Sequence, residues 1–181
     1  RNEKVNIFRG DLNNVYKRFI VFNKKLKNED LIVRITGDNL FIDKHLLCEL
    51  INFYKKNNFN YVSIDRKKSK LPYGISAELF NYKTLRKWKP NNKYDQEHVT
   101  AKIIRKEKNQ GYFVKKNKNN FYNLRCTLDD IKDYFVIKTV FQNSKKIKLN
   151  YLKMCEILKR TNEKEIKKNK VNYSNVILGS A

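Results

Sequence analysis

The chain predicts an α/β fold with a mixed sheet, and three observations carry that expectation. Short β-rich runs alternate with amphipathic helical stretches along the sequence, the pattern of an α/β sheet. The later strands are joined by short or irregular connections, which calls for some antiparallel pairing. The 181 residues are 40% hydrophobic and 13% aromatic, enough to bury a core.

In order, Val5–Phe8 reads as a strand, and 12–27 ("LNNVYKRFIVFNKKLK") as an amphipathic helix with apolar residues at 12, 15, 16, 19, 20 and 22. Leu31–Thr36 is an apolar, partly β-branched strand. A helix over 43–57 places Leu46, Leu47, Leu50, Ile51 and Tyr54 on one face. Strands follow at 60–65 and 75–80, separated by a charged loop and the Pro72-Tyr73-Gly74 turn. Helices at 82–88 and 96–106 flank the break at Pro90-Asn91-Asn92. Strands over 111–115 and 123–128 precede helices over 130–143 and 149–160. Residues 1–162 read as one domain, with a polar tail over 163–181.

The formal charge of +23 raises nucleic-acid binding. Only nine of the 41 basic residues are arginine, the side chain suited to bidentate phosphate and base reading. The lysines spread over helices and loops among many asparagines, so a diffuse charge from compositional bias is expected. Cys48, Cys126 and Cys155 form no CxxC pair, and with only His45 and His98 besides, a structural zinc site is not expected. No apolar run approaches a membrane span and no signal peptide is visible, so a reduced, cytoplasmic setting is expected.

Two acids draw attention. "DLIVRITGDNLFID" ends a buried strand at Thr36-Gly37-Asp38, with Asp43 before the next helix. "NLRCTLDD" repeats the pattern with Asp129. Carboxylates beyond strand ends face ligands in open α/β sheets, and two of them could share one Mg²⁺. The alternative is ordinary turns, with Asp43 and Asp129 or Asp130 capping helices. A glycine at 37 would serve a sharp turn or the close approach of a ligand.

The segments "FRGDLNNVYKRF" (8–19), "IVRITGDNLFID" (32–43), "NYVSID" (60–65), "LPYGISAELFNYKTL" (71–85), "EHVT" (97–100) and "LRCTLDDIKD" (124–133) together resemble the cytidylyltransferases that make CMP-sugars, especially the spore-coat polysaccharide (SpsF-like) branch. These are relatives of the CMP-Kdo and acylneuraminate synthetases. The resemblance implies a three-layer α/β/α sandwich of the nucleotide-diphospho-sugar transferase, Rossmann-like kind. It implies Mg²⁺ as cofactor on Asp38 and Asp129, catalytic roles for Arg34 and Arg125, and substrate binding by Thr36, Glu78, Glu97 and His98. Surface ion pairing by the two arginines, and a satisfied histidine at a helix start, are the structural alternatives. The partners implied are CTP and a sugar or sugar acid, with neither nucleic acid nor membrane, and a homodimer is admitted. The pattern departs from the family at Leu40, Ser76, Ala101 and Lys132.

The family's first strand and its glycine-rich basic turn are not found in these 181 residues, whose five glycines stand singly. The expectation is therefore an N-terminally truncated copy of the fold that does not turn over CTP by itself. The rival expectations are a non-catalytic sugar- or nucleotide-binding remnant and a basic nucleic-acid-binding module.

Overall fold

The computed structural model describes residues 5–144 and 150–161. The expected tail over 163–181 lies outside them. Helices and strands alternate as α1 (Val15–Phe22), β1 (Leu31–Arg34), α2 (Lys44–Asn57), β2 (Tyr61–Ile64), β3 (Glu78–Asn81), α3 (Tyr82–Lys87), α4 (Lys93–Glu97), α5 (Ala101–Lys106), β4 (Gln110–Phe113) and α6 (Ile131–Ser144). A last helix, α7, runs over 151–161. The chain divides into two compact units. One contains the described residues up to Arg34, Ile51–Ser63 and Glu78–Tyr112; the other contains Ile35–Leu50, Ile64–Ala77 and the described residues from Phe113 onward.

The first unit carries the sheet, in the order β1-β3-β2-β4. β3 pairs antiparallel with both β1 and β2. Register puts Ile32 opposite Phe80 and Phe80 opposite Tyr61, so one face of the sheet carries a row of large apolar side chains. That row packs with Tyr82, Leu85, Val99 and Ile103, and the inward residues of α1 (Val15, Tyr16, Phe19, Ile20) lie against it. Burying each such side chain stabilises the fold by roughly 1.5–3 kcal/mol. Arg34 and Glu78 are two residues along from Ile32 and Phe80 and share their face. The sheet row thus ends in an ion pair.

The second unit has its own core of Phe41, Leu46, Leu71, Ile75, Phe121, Cys126, Ile137, Val140, Met154, Cys155 and Leu158. Burial pushes the Cys126 thiol up to about 12, and likewise Cys155. Both therefore behave as small apolar groups. Asp43 joins two helices: Leu46 N–H donates to its Oδ1 at 2.8 Å and Tyr151 N–H to its Oδ2 at 2.9 Å. One carboxylate thus caps α2 and the start of α7. Ser69, fully buried, ties loops together by accepting from Lys115 N–H on Oγ and from Asn117 on its carbonyl.

Several expected elements differ. Val5–Phe8 form no strand, because no strand partners them among the described residues, and Val5 and Ile7 are exposed; β composition does not make a strand without a neighbour. The first helix starts at Val15, where the Asn14 side chain accepts from Lys17 N–H at 2.8 Å, and ends at Phe22. The expected 96–106 helix is two: Asn92 caps α4 early, and α5 starts anew at Ala101. The expected strand over 123–128 is reduced to single bridges, Thr127 to Asn39 and Arg125 to Tyr73. It lies between two different partners and forms a continuous ladder with neither.

Candidate functional site

In the second unit, Thr36 to Asn39 form a turn closed by the Asn39 N–H on the Thr36 carbonyl at 3.1 Å. Gly37 and Asp38 sit at its centre. Gly37 is not in the left-handed region, and a Cβ there would meet nothing within 4 Å. The turn does not require glycine. Of the two reasons for a glycine here, close approach of a ligand remains.

This turn lies against the segment that carries the second acid. The Leu128 N–H donates to the Asp38 carbonyl at 3.1 Å, and Asn39 bridges Thr127 antiparallel. The two acid-bearing stretches are thus side by side. The second stretch also packs on Gly74, with φ +98°: a Cβ there would stand 2.9 Å from the Cys126 carbonyl carbon and the Thr127 nitrogen. Only glycine fits. The Asn39 side chain also reaches the Ser76 hydroxyl at 3.4 Å.

The capping alternative holds, through Asp43 at α2 and Asp130 at α6. At α6, Asp130 accepts from Lys132 and Asp133 N–H at 2.8 and 2.9 Å, while the Asp133 carboxylate accepts from Asp129 N–H at 2.9 Å and Asp130 N–H at 3.4 Å. This is a reciprocal capping box. The backbone N–H of Asp133, and then that of Lys132, holds the Asp130 carboxyl below its ordinary value. Asp129 caps nothing; its exposed carboxylate pairs with Arg125. No helix begins at Asp38, and among the described residues its half-buried carboxylate has no hydrogen-bond or ion-pair partner. In a chain of charge +23, a carboxylate without a cation is conspicuous.

Arg125 also lies 3.5 Å from Asp133 and over the Tyr73 ring at 5.6 Å from its centre. Arg66 covers the same ring at 5.6 Å and that of Tyr122 at 4.0 Å. Tyr73 was not singled out in the sequence; its place in "LPYG" gave only a turn signal.

In the first unit, Glu78 gathers three donors. Arg34 pairs with one oxygen, and Tyr61 and Thr100 hydroxyls donate to the other at 2.7 and 2.9 Å. Burial, and then the adjacent Glu78 carboxylate, push the Tyr61 phenol well above its ordinary value. Arg34 and Glu78 thereby satisfy each other, as the structural alternative foresaw for the arginine, though within the fold and not on its surface. Tyr61 and Thr100 escaped sequence reading, since their partner lies on another strand or across a loop. Glu97 and His98 are exposed, at the end of α4 and just past it; the His98 ring packs against Tyr94 with centres 4.3 Å apart.

The predicted residues therefore fall into two groups: Arg34, Glu78, Glu97 and His98 in the first unit, and Thr36, Asp38, Arg125 and Asp129 in the second. Among the described residues no three His, Cys, Asp or Glu side chains gather as a metal cage. A pair of carboxylates is nonetheless the protein share that Mg²⁺ takes, with water and phosphate oxygens completing its shell. Two carboxylates, those of Asp38 and Asp129, belong to the paired segments. No helix among the described residues is long and apolar enough to cross a membrane.

Comparison with known proteins gives a consistent result. The family model described as cytidylyltransferase matches residues 1–175. An uncharacterized protein of Methanocaldococcus jannaschii is 36% identical over 135 residues, which cover 72% of this chain and 53% of the relative. The spore coat polysaccharide biosynthesis protein SpsF of Bacillus subtilis is 30% identical over 144 residues, covering 76% of this chain and 58% of the relative. The chain thus spans little more than half the length of these relatives. A solved cytidylyltransferase structure from Leptospira borgpetersenii superposes with a TM-score of 0.75 at 23% identity, over 88% of this chain and 68% of that one. The fold is that of the α/β nucleotidyltransferases.

Proposed function

The chain belongs to the cytidylyltransferase family, and on that premise we propose that it serves to activate a sugar as its CMP derivative for surface polysaccharide or glycan synthesis. A sugar hydroxyl attacks the α-phosphorus of CTP in line. The new bond is sugar oxygen to α-phosphorus, the bond that breaks joins that phosphorus to the bridging oxygen of the β-phosphate, pyrophosphate leaves, and the hydroxyl proton passes to solvent. The observation that carries this reading is the pairing of the Thr36–Asn39 turn with Thr127-Leu128, both acids being excused from capping.

Asp38 and Asp129 are the residues that would hold Mg²⁺, and the ion, when bound, offsets phosphate charge. Gly37 leaves room for a phosphate to approach the backbone. Arg125, paired with Asp129, holds that carboxylate in place and adds positive charge at the same spot. Arg34 is positioned by Glu78, and Glu78 in turn by Tyr61 and Thr100; this makes Glu78 a positioning residue more than a substrate ligand. Thr36, Glu97 and His98 complete the proposed binding residues. Positioning and electrostatics supply most of the rate in this chemistry.

The name of the SpsF relative, a spore coat polysaccharide biosynthesis protein, supports the sugar as acceptor and polysaccharide synthesis as the setting, and a cytoplasmic location follows from the proposed use of CTP. The test is pyrophosphate release from CTP with a panel of sugars and sugar acids, run on this chain and on a form extended upstream. Release that requires both a sugar and Asp38 supports the reading; sugar-independent release, or none from either form, contradicts it.

A further inference from the structure

We propose that the second unit carries an oxyanion seat at Arg66, a residue outside the groups assigned above. Arg34, Arg105 and Arg125 each pair with an acid. Arg66 is half-buried in the charged loop over 65–70 and, among the described residues, faces no carboxylate. The adjacent Asp65 serves its own loop, accepting from Lys68 N–H at 2.9 Å and pairing with Lys68 Nζ at 3.7 Å. Lys67 and Lys70 are exposed and also lack an acid partner among the described residues. On this loop Arg66, Lys67, Lys68 and Lys70 meet a single acid, Asp65.

The guanidinium is held in place before any ligand arrives. Its carbon lies 4.0 Å from the centre of the Tyr122 ring and 5.6 Å from that of Tyr73. Its Nη1 donates to the Tyr122 carbonyl at 2.7 Å. Tyr73 is itself pinned: its N–H donates to the Leu124 carbonyl and its carbonyl accepts from Cys126 N–H, both at 2.8 Å. Nε and Nη2 of Arg66 have no partner among the described residues. The side-chain polar atom that is buried there without a partner is the Thr127 hydroxyl, so these two nitrogens stay open to solvent and to a ligand. A half-buried cation without a counter-charge carries a desolvation cost that an anion would offset.

The open edge selects the ligand's chemistry. Nε–H and Nη2–H point the same way along one side of a planar guanidinium, which takes two oxygens of one carboxylate or phosphate. The excess of lysine on the loop favours a negative group over a neutral one. Arg125 lies on the same Tyr73 ring at 5.6 Å from its centre, but Asp129 and Asp133 share its charge. Arg66 is the cation left over. Under the cytidylyl-transfer reading, on which the choice of source rests, two groups have this chemistry: the pyrophosphate that leaves and the carboxylate of an acidic acceptor.

The experiment follows the Arg66 Nε–H signal by heteronuclear NMR, with chelator present and CTP absent. Inorganic phosphate, pyrophosphate and glucuronate are the probes, and glucose is the uncharged control. The signal, assigned by its absence from Arg66→Met, should move with at least one oxyanion and not with glucose. Preference for pyrophosphate assigns the leaving group; preference for glucuronate assigns the carboxylate. By calorimetry, Arg66→Met should weaken that binding at least about tenfold, and Arg66→Lys, which keeps the charge without the fork, should recover only part of it. At physiological salt Lys67→Ala should change it less than about twofold, since exposed charges are screened. Thermal unfolding confirms that each variant folds. A signal that no oxyanion moves, full binding by folded Arg66→Met, or an equal loss in Lys67→Ala would overturn the proposal. Because nucleotide and metal are absent, the result stands apart from the reading above. A protein that binds an oxyanion here but transfers no cytidylyl group contradicts only that reading.

Discussion

The Leu128 backbone N–H donates to the Asp38 carbonyl across 3.1 Å, joining two segments 90 residues apart in sequence. That bond sets the two acid-bearing segments side by side. Asp43 and Asp130 cap α2 and α6, which leaves Asp38 and Asp129 outside the helix termini.

The division of labour at α6 predicts opposite results from adjacent acids. Asp130→Ala should destabilise the protein by about 1 kcal/mol through the lost cap and leave metal affinity nearly unchanged. Asp129→Asn should change stability little, because its exposed pair with Arg125 contributes little, and should weaken metal binding sharply. Urea unfolding and Mn²⁺ titration of both variants check this.

Gly37→Ala should stabilise the folded protein by about 0.4–1 kcal/mol, since the backbone there suits any residue and alanine restricts the unfolded chain. Nucleotide binding should nonetheless weaken, because the new methyl would occupy the space kept for the ligand. Opposite signs in a denaturation curve and a CTP titration would bear this out. Losses in both would mean that the glycine serves the turn after all.

Glu107 predicts an acid limit to stability. Burial alone would raise its carboxyl, but bonds from the Trp88 indole, the Asn109 N–H, Lys87 and Asn60 outweigh burial and hold it down to about 2. Its ordinary value is 4.5, so the folded state prefers the ionised form. That contribution is complete above about pH 4.5 and is lost as pH falls towards 2. Thermal unfolding from pH 7 to pH 2 should show the loss, and Glu107→Gln should lower stability at neutral pH by roughly 1–3 kcal/mol while flattening the acid dependence.

Much of the architecture was legible because it is local. Leu31–Arg34 and Tyr61–Ile64 announced themselves by β-branched and aromatic runs, and α2 by its apolar stripe from Leu46 to Tyr54. Asp43 read as a cap and is one. What stayed hidden depended on partners distant in sequence. Val5–Phe8 have strand composition and, among the described residues, no strand partner. Residues 123–128 bridge Tyr73 on one side and Asn39 on the other, a fact absent from their own composition. The Glu78 cluster joins Arg34, Tyr61 and Thr100 across separate elements, and the orphan hydroxyl of Thr127 exists only once the chain has packed. Asp38 and Asp129 were legible as acids beyond β-rich runs; that the second run makes only isolated bridges, and that the two segments pair, was not.

The Glu78 cluster should matter for stability before chemistry. Thr100→Val removes one donor and should cost about 1 kcal/mol. Arg34→Met leaves the partly buried carboxylate without its cation and should cost roughly 2–3 kcal/mol. If both variants unfold like the wild type, the pair is not structural and Arg34 is free to act on substrate directly.

The central claim is that the Thr36–Asn39 turn and the Thr127–Asp129 segment together form a divalent-cation site, and Mn²⁺ titration followed by electron paramagnetic resonance tests it most directly. One Mn²⁺ should bind, Mg²⁺ should displace it, and Asp38→Asn and Asp129→Asn should each weaken binding by at least about tenfold, as expected where two carboxylates share one ion. Unaltered Mn²⁺ affinity in either variant, with its fold intact, would contradict the account.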